Sequence, residues 1–309
     1  MASAVKDNGK IWMNGKMVDK KDANVSVLTH TLHYGVGVFE GIRCYNTVDG
    51  SQVFRLKEHI ERLVDSSKIF MIDSGYTVDE LCTACVETIK ANDLKECYIR
   101  PIIYLGDGGL GIKIDNTYPV DTAIAVWEWG AYLGAEGLKK GIKVGTSSYT
   151  RFNVNSTSTR SKTCGNYVPS VLAKRDAINN GYDEALFLDT EGYVAEGSGE
   201  NVFLIRQGKI YTTPLTSVLR GITRDSIITI ARDLGYEVIE TRFAKDDFYI
   251  ADEAFFTGTA AEVTPINSLD GRIIGNGERG SITEKIQNAF FEIVNGKNKN
   301  YSNWLYPVK

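Results

Sequence analysis

The chain has 309 residues, 43% hydrophobic and 24% charged, a globular composition long enough for two domains with a core each. With 35 basic against 39 acidic residues the net charge is −4, which excludes a broad electrostatic footprint for nucleic acid. No apolar run approaches the roughly 18 residues of a membrane span. The first residues hold no apolar signal core, and five scattered cysteines fit a reducing compartment, so the cytoplasm is the expected location.

In chain order, IWMNGKMV reads as a strand, an Asn14-Gly15 turn and a second strand. GVGVFEGIRCY alternates, NTVDG turns and SQVFRL pairs back. Amphipathic helices are predicted at about 57–70 and 78–91. ECYIRPIIYL follows as a strand in which Pro101 predicts an edge position or a distortion. DTAIAVWEW is a strand, and GAYLGAEGLKKG, rich in glycine, is read as irregular. That stretch divides the chain into a small N-terminal α/β domain (1–128), a loop (129–138) and a larger C-terminal domain (139–309). In the second half, strands are predicted at 142–148, 184–189, 200–206, 236–243 and 253–257, with helices at 167–179, 222–234 and 280–294. Ile227, Ile230, Ala231 and Leu234 mark the apolar face of the helix at 222–234, and Gly235 its stop.

Several motifs carry little. Cys82 and Cys85 form a CxxC on a predicted helix, but no second pair follows and histidine is scarce, so buried cysteines are expected over redox or zinc chemistry. GDGGLG matches GxGxxG through Gly106, Gly108 and Gly111. The IKIDNTYP that follows does not open a helix, so a flexible glycine loop is expected and a nucleotide site is the rival reading from another functional class. His30 and His33 are read as hydrogen-bonded structural residues.

Other stretches carry chemistry. Strand alternation sets Phe39, Gly41, Arg43 and Tyr45 on one face, and Tyr98 with Arg100 on another, which suits a pocket for an anionic small molecule as well as arginines stacked at a surface. The helix opening at Gly221, Ile222 and Thr223 favours an anion, and the TGTAAE turn at Thr259 offers backbone donors. Glu196 lies between glycines in YVAEGSGEN. Lys162, in RSKTCGNYVPS, is set among small, mostly uncharged neighbours with Tyr167 close behind. A reactive lysine, a carboxylate and two phosphate seats are the needs of pyridoxal 5′-phosphate.

Taken in order, HTLHYGVGVFEGIR, YIRP, WEWGAYLG, SKTCGNY, EGSGENVF, GITRDSI and GTAAEVTPI resemble the branched-chain amino acid aminotransferases of the fold-type IV class, from about residue 10 to about 295. The resemblance implies two α/β domains, the larger with pseudo-barrel strands, and a reversible exchange of amino groups between branched-chain amino acids and 2-oxoglutarate. It makes Lys162 the Schiff-base lysine and Tyr167 the partner of the cofactor's phenolic oxygen. Glu196 would pair with the ring nitrogen and Leu219 would pack on the ring. Arg55, Gly221, Ile222, Thr223 and Thr259 would hold the phosphate. Phe39, Gly41, Arg43, Tyr98, Arg100, Trp129 and Tyr132 would line the substrate pocket, with Thr259, Ala260 and Ala261 seating the α-carboxylate. Tyr34 and the Gly109–Ile112 loop would be lent to a neighbouring subunit, implying a homodimer at least, with a trimer of dimers as the larger form. D-amino acid and R-amine transaminases share the lysine and the phosphate seat. The chain departs from relatives in Cys164 after the lysine and in Arg220 before Gly221.

Overall fold

The computed structural model describes residues 5–115, 117–130 and 132–309. In chain order the strands begin with β1 (Lys10–Met13), β2 (Lys16–Asp19), β3 (Gly37–Phe39), β4 (Ile42–Thr47), β5 (Gly50–Phe54), β6 (Cys97–Leu105) and β7 (Val120–Trp127). They continue with β8 (Ile142–Thr146), β9 (Glu184–Leu188), β10 (Val194–Gly197), β11 (Asn201–Arg206), β12 (Lys209–Thr212) and β13 (Val238–Glu240). The last are β14 (Glu253–Gly258), β15 (Glu262–Leu269), β16 (Arg272–Ile273) and β17 (Leu305–Pro307). The first four helices are α1 (His30–Tyr34), α2 (Leu56–Ile69), α3 (Val78–Ala91) and α4 (Ala135–Lys140). The other four are α5 (Val168–Asn179), α6 (Ile222–Asp233), α7 (Lys245–Tyr249) and α8 (Ser281–Val294).

The chain packs as two compact units. One comprises Met1–Gly130, Ser161–Asn166 and Ile293–Lys309, the other Ala131–Arg160 and Tyr167–Glu292. The first contains a sheet of order β17-β5-β4-β6-β7-β1-β2, with β3 also on β6. The second contains β10-β9-β8-β15-β14-β11-β12-β13, with β16 on β15, a mixed sheet that curls into a half-barrel. This is the mixed α/β class that the sequence predicts.

In the first unit the β1–β2 turn needs two left-handed residues, and Asn14 (φ 49°) and Gly15 (φ 83°) supply them. One face of α2 buries Leu56, Ile60 and Leu63, and one face of α3 buries Leu81, Cys85 and Ile89, all in one core with Ile42, Ile99 and Ile124. A capping box of Thr77 and Glu80 starts α3. Cys82 and Cys85 lie in that core. Burial pushes the Cys82 thiol up to about 12 and Cys85 higher still, which leaves both as small apolar fillers. Among the described residues no group of three His, Cys, Asp or Glu is placed to hold a metal, and no helix is long and apolar enough to cross a membrane.

Two expectations need correction. Strand β6 is central, with β3 and β4 along one side and β7 along the other, so Pro101 is not on an edge. The missing Pro101 N–H falls where β3 has ended and β4 has not begun, and there Glu40 N–H donates to the Pro101 carbonyl (2.9 Å). The stretch after Trp129 is not wholly irregular, because Ala135–Lys140 forms α4 between Gly134 (φ 81°) and Gly141 (φ 87°). In the second unit Ile227, Ile230 and Ala231 are buried as the periodicity predicts, whereas Leu234 lies past the last turn and is exposed. The GDGGLG loop runs on to β7 rather than into a helix, and His30 Nε2 contacts its Gly111 carbonyl (2.9 Å).

Candidate active site

Backbone contacts tie the segment that carries Lys162 to the first unit. Phe39 N–H donates to the Lys162 carbonyl (3.0 Å), and Lys162 N–H donates to Ser66 Oγ (3.1 Å). Thr163 bridges Val38 antiparallel, and Gly165 N–H donates to the Gly35 carbonyl (3.1 Å). The small residues around the lysine permit this approach: a Cβ on Gly35 would stand 2.9 Å from Gly165 Cα. Lys162 Nζ then lies 5.1 Å from the centre of the Phe39 ring.

The other face of that ring belongs to the pocket. Arg100 Cζ is 4.9 Å from the Phe39 centroid, 5.5 Å from Tyr98 and 5.6 Å from Trp127. Its buried Nε has no hydrogen-bond partner among the described residues. Tyr98 meets Trp129 edge-on at 4.4 Å, and Gly41 is obligatory beside it, since a Cβ there would stand 1.9 Å from Tyr98 Oη. Arg43 donates to the carbonyls of Trp129 (2.7 Å) and Gly130 (2.9 Å), so its guanidinium fixes the chain that carries Trp129.

Between Phe39 and Gly41, Glu40 is fully buried (0% exposed). Its carboxylate accepts from Arg62 Nε (2.6 Å) and Nη2 (2.8 Å) and contacts His59 Nδ1 (2.7 Å). Burial by itself would raise this carboxyl, but Arg62 and His59 outweigh it and hold it well below the usual range. Burial, with the charges of Arg62 and Lys162, pushes His59 down against the pull of Glu40. Arg55 is placed elsewhere, its Nε on Glu58 Oε1 (2.8 Å) and its guanidinium 5.2 Å from the Trp304 ring.

In the second unit Glu196 is buried on β10. Arg151 Nε lies 2.7 Å from its Oε1, and Leu219 N–H (3.2 Å) and Asn201 Nδ2 (3.3 Å) donate to its Oε2. Asn201 also donates to the Leu219 carbonyl (3.1 Å), and a Cβ on Gly221 would stand 1.9 Å from Asn201 Oδ1, so this corner closes only on glycine. Helix α6 starts after Gly221 without a side-chain cap, and Thr223 in its first turn is buried. Thr259–Ala261 forms the turn between β14 and β15, and Thr264 Oγ1 donates to the Ala261 carbonyl (2.6 Å). Tyr167 is half-buried at the start of α5, and the Tyr132 ring lies 5.2 Å from Lys174 Nζ. On the first unit Tyr34 packs on His30 (4.6 Å) beside the 109–112 loop, and both are exposed.

A profile described as amino-transferase class IV matches residues 37–269. The branched-chain-amino-acid aminotransferase of Pseudomonas aeruginosa is 50% identical over 309 residues, all of both chains. The chain belongs to that family. The Escherichia coli branched-chain amino acid aminotransferase structure superposes with a TM-score of 0.96 at 46% identity, covering 98% of this chain and all of that one. A thermophile's enzyme, from T.th., has been solved with N-(5′-phosphopyridoxyl)-L-glutamate (TM-score 0.95, 47% identity) and with 4-methylvaleric acid (0.94, 45%), each covering 99% of this chain and all of that one.

The donor set of this family member fits pyridoxal 5′-phosphate: a primary amine at Lys162, a buried carboxylate at Glu196 and a helix start with no side-chain cap at Gly221. The sequence reading did not single out Glu40, His59, Arg62, Arg151 or Asn201. A signal for two of them was present, because His59, Arg62 and Ser66 recur at helical spacing on one face of α2. Glu40→Ala would leave Arg62 without its buried partner, and a loss of about 3–5 kcal/mol in urea unfolding of the holoenzyme is expected. Asp49→Ala, at an exposed pair, should change stability by less than about 1 kcal/mol.

Proposed function

We propose that the protein catalyses reversible, ping-pong transfer of an amino group between L-leucine, L-isoleucine or L-valine and 2-oxoglutarate, with pyridoxal 5′-phosphate as cofactor. One observation carries the substrate reading: Lys162 Nζ and the Arg100 guanidinium share the Phe39 ring, at 5.1 Å and 4.9 Å. Aromatic walls there accept an apolar branched chain, and a guanidinium with an unpartnered Nε accepts a side-chain carboxylate. The ligands of the T.th. relative, one with the carbon skeleton of leucine and one built on glutamate, support this pair of substrates.

Lys162 would anchor the cofactor, Tyr167 would bond its phenolic oxygen and Leu219 would flank its ring. Gly221, Ile222, Thr223 and Thr259 would hold its phosphate. Bound, pyridoxal 5′-phosphate supplies an electron sink that makes the Cα–H bond of an amino acid labile. Lys162 Nζ takes that proton as general base and gives it up again as general acid. Glu196, its charge paired with Arg151, faces the ring nitrogen and keeps a proton there. Thr259, Ala260 and Ala261 seat the α-carboxylate, while Phe39, Gly41, Tyr98, Trp129 and Tyr132 exclude water around the side chain. Arg43 acts at one remove, by fixing Trp129.

A second copy of the chain is the partner that the first unit's surface favours. Val27 (79% exposed) and Ile112 (89%) face outward with Leu28, Leu32 and Tyr34. An apolar groove of about 280 Å³ lies nearby, lined by Ile11, Met13, Leu32, Ile102 and Ala123. We assign a homodimer at least, with Tyr34 and the Gly109–Ile112 loop lent across, and a trimer of dimers as the larger form. Five free cysteines favour the cytoplasm.

Either Arg55 or Arg62 supplies the phosphate's guanidinium, and Arg62 acts on the same imidazole as Lys162. Arg62→Ala is therefore expected to weaken cofactor binding to the apoenzyme by roughly tenfold or more and Arg55→Ala by less than about threefold. The reverse order would return the role to Arg55. Arg100→Ala should cost the 2-oxoglutarate half-reaction about 2–3 kcal/mol, roughly 30–150-fold in kcat/KM, and the leucine half-reaction little. Equal losses would remove Arg100 from that role. The whole reading is tested by titrating the holoenzyme with L-leucine and no oxo acid. Conversion of the cofactor's visible band to the pyridoxamine form is expected. A response only to a D-amino acid or an R-amine would overturn the substrate.

A further inference from the structure

Three buried carboxyl groups gather in the second unit: Glu184 (0% exposed), Glu196 (5%) and Glu200 (5%). Two cations answer them. Lys174 Nζ lies 2.7 Å from Glu184 Oε2, and Arg151 Nε lies 2.7 Å from Glu196 Oε1. Among the described residues no ion pair reaches Glu200. Its Oε2 accepts the Gly199 N–H (3.0 Å), and the side chain folds back over its own turn so closely that a Cβ on Gly197 would stand 2.6 Å from that oxygen.

The sheet sets this carboxyl beside the turn read above as the carboxylate seat. Asn201 pairs with Thr257 across β11 and β14, which places Gly258 opposite Glu200 one step further on. A Cβ on Gly258 would meet Glu200 Cγ at 3.6 Å. Gly258 leads directly into Thr259, Ala260 and Ala261. The charged groups around Glu200 are Glu184 from β9, Lys174 from α5 and Glu196 from β10, with Glu262 at the start of β15 paired to Gly258.

We propose that Glu200 is a positioning residue that serves as the neutral acid. While it keeps its proton the Thr259–Ala261 turn takes the substrate's α-carboxylate, and once the proton is lost the added negative charge expels it. The proposal rests on reading that turn as the carboxylate seat. Burial first, and then the charge of Glu184, push the Glu200 carboxyl up to about 8, against the Gly199 N–H and Lys174. Its folded-state value lies above the ordinary 4.5, so the folded state holds the extra proton between the two values. Glu200 then lowers stability progressively as pH rises through that window.

The test measures binding of 4-methylvaleric acid and of 4-methylvaleramide, which lacks the charge, to the holoenzyme from about pH 6.5 to 9.5, with thermal midpoints alongside. In the parent protein, affinity for the acid should fall about tenfold across that range, while the amide stays level. In Glu200→Gln the acid's affinity should hold within about twofold, and the thermal midpoint should exceed the parent's by a margin that widens above pH 7. Glu200→Met, also uncharged, must flatten the profile in the same way and carries the test should Glu200→Gln fail to fold. An alkaline fall unchanged in both variants would overturn the role of Glu200 and leave the turn's reading intact. An acid that binds no better than the amide at pH 7 would overturn the carboxylate seat itself, and with it this proposal.

Discussion

A lysine that must reach one carbon atom needs a backbone that does not move, and the hydrogen bond from Phe39 N–H to the Lys162 carbonyl is the constraint from which the first unit's site is built. Ser66 takes the lysine's own N–H, so both backbone groups of Lys162 are satisfied by the first unit, although the residues on either side of Ser161–Asn166 belong to the second. Phe39 also presents its ring to Lys162 Nζ and to Arg100, so one residue fixes the amine's backbone and forms the wall of the pocket. Its position is thus set by strand pairing rather than by side-chain packing alone.

That pairing is secured from behind by a charge. Glu40 is sealed from water, a placement that would be costly for a lone carboxylate, and it persists because Arg62 meets both oxygens and His59 meets one. The same residue fills the gap between β3 and β4 with its N–H on Pro101. A proline that would disrupt a continuous ladder is harmless where the neighbouring strand is interrupted. Phe39 and Gly41 flank this residue, so the pocket's wall and its open floor both hang from one buried ion cluster.

Much of this fold is legible in the sequence because local chemistry dictates it. The Asn14-Gly15 turn, the capping box at Thr77 and the periodic faces of α2, α3 and α6 need no knowledge of the rest of the chain. The short strands β10, β12, β16 and β17 were not legible, since two to four residues show no alternation and are fixed by their neighbours. Lys162 and Glu196 could be suspected from their small neighbours, because glycine and serine mark backbone that something must approach. Glu40 and Arg62 could not, for a carboxylate in an alternating strand and an arginine on an amphipathic helix look solvated until the partner is seen. Arg55 shows the converse, an arginine that looked like a ligand and lies against Trp304 and Glu58.

The first unit's sheet takes its outermost strand, β17, from far along the chain, and Lys299 pairs with Asp49 across 250 residues. Closing so long a span carries a larger entropic cost than forming a hairpin, and pairing of this kind is slow to find. While the chain is being synthesised, β5 has an open edge until the second unit's residues have been made. The unit whose residues emerge first is therefore the one completed last. Arg55 N–H, which donates to the Trp304 carbonyl, acquires its partner only then. The amine that defines the site thus belongs to a body whose edge stays uncovered through most of translation, a window in which holdase binding or misassociation competes with folding.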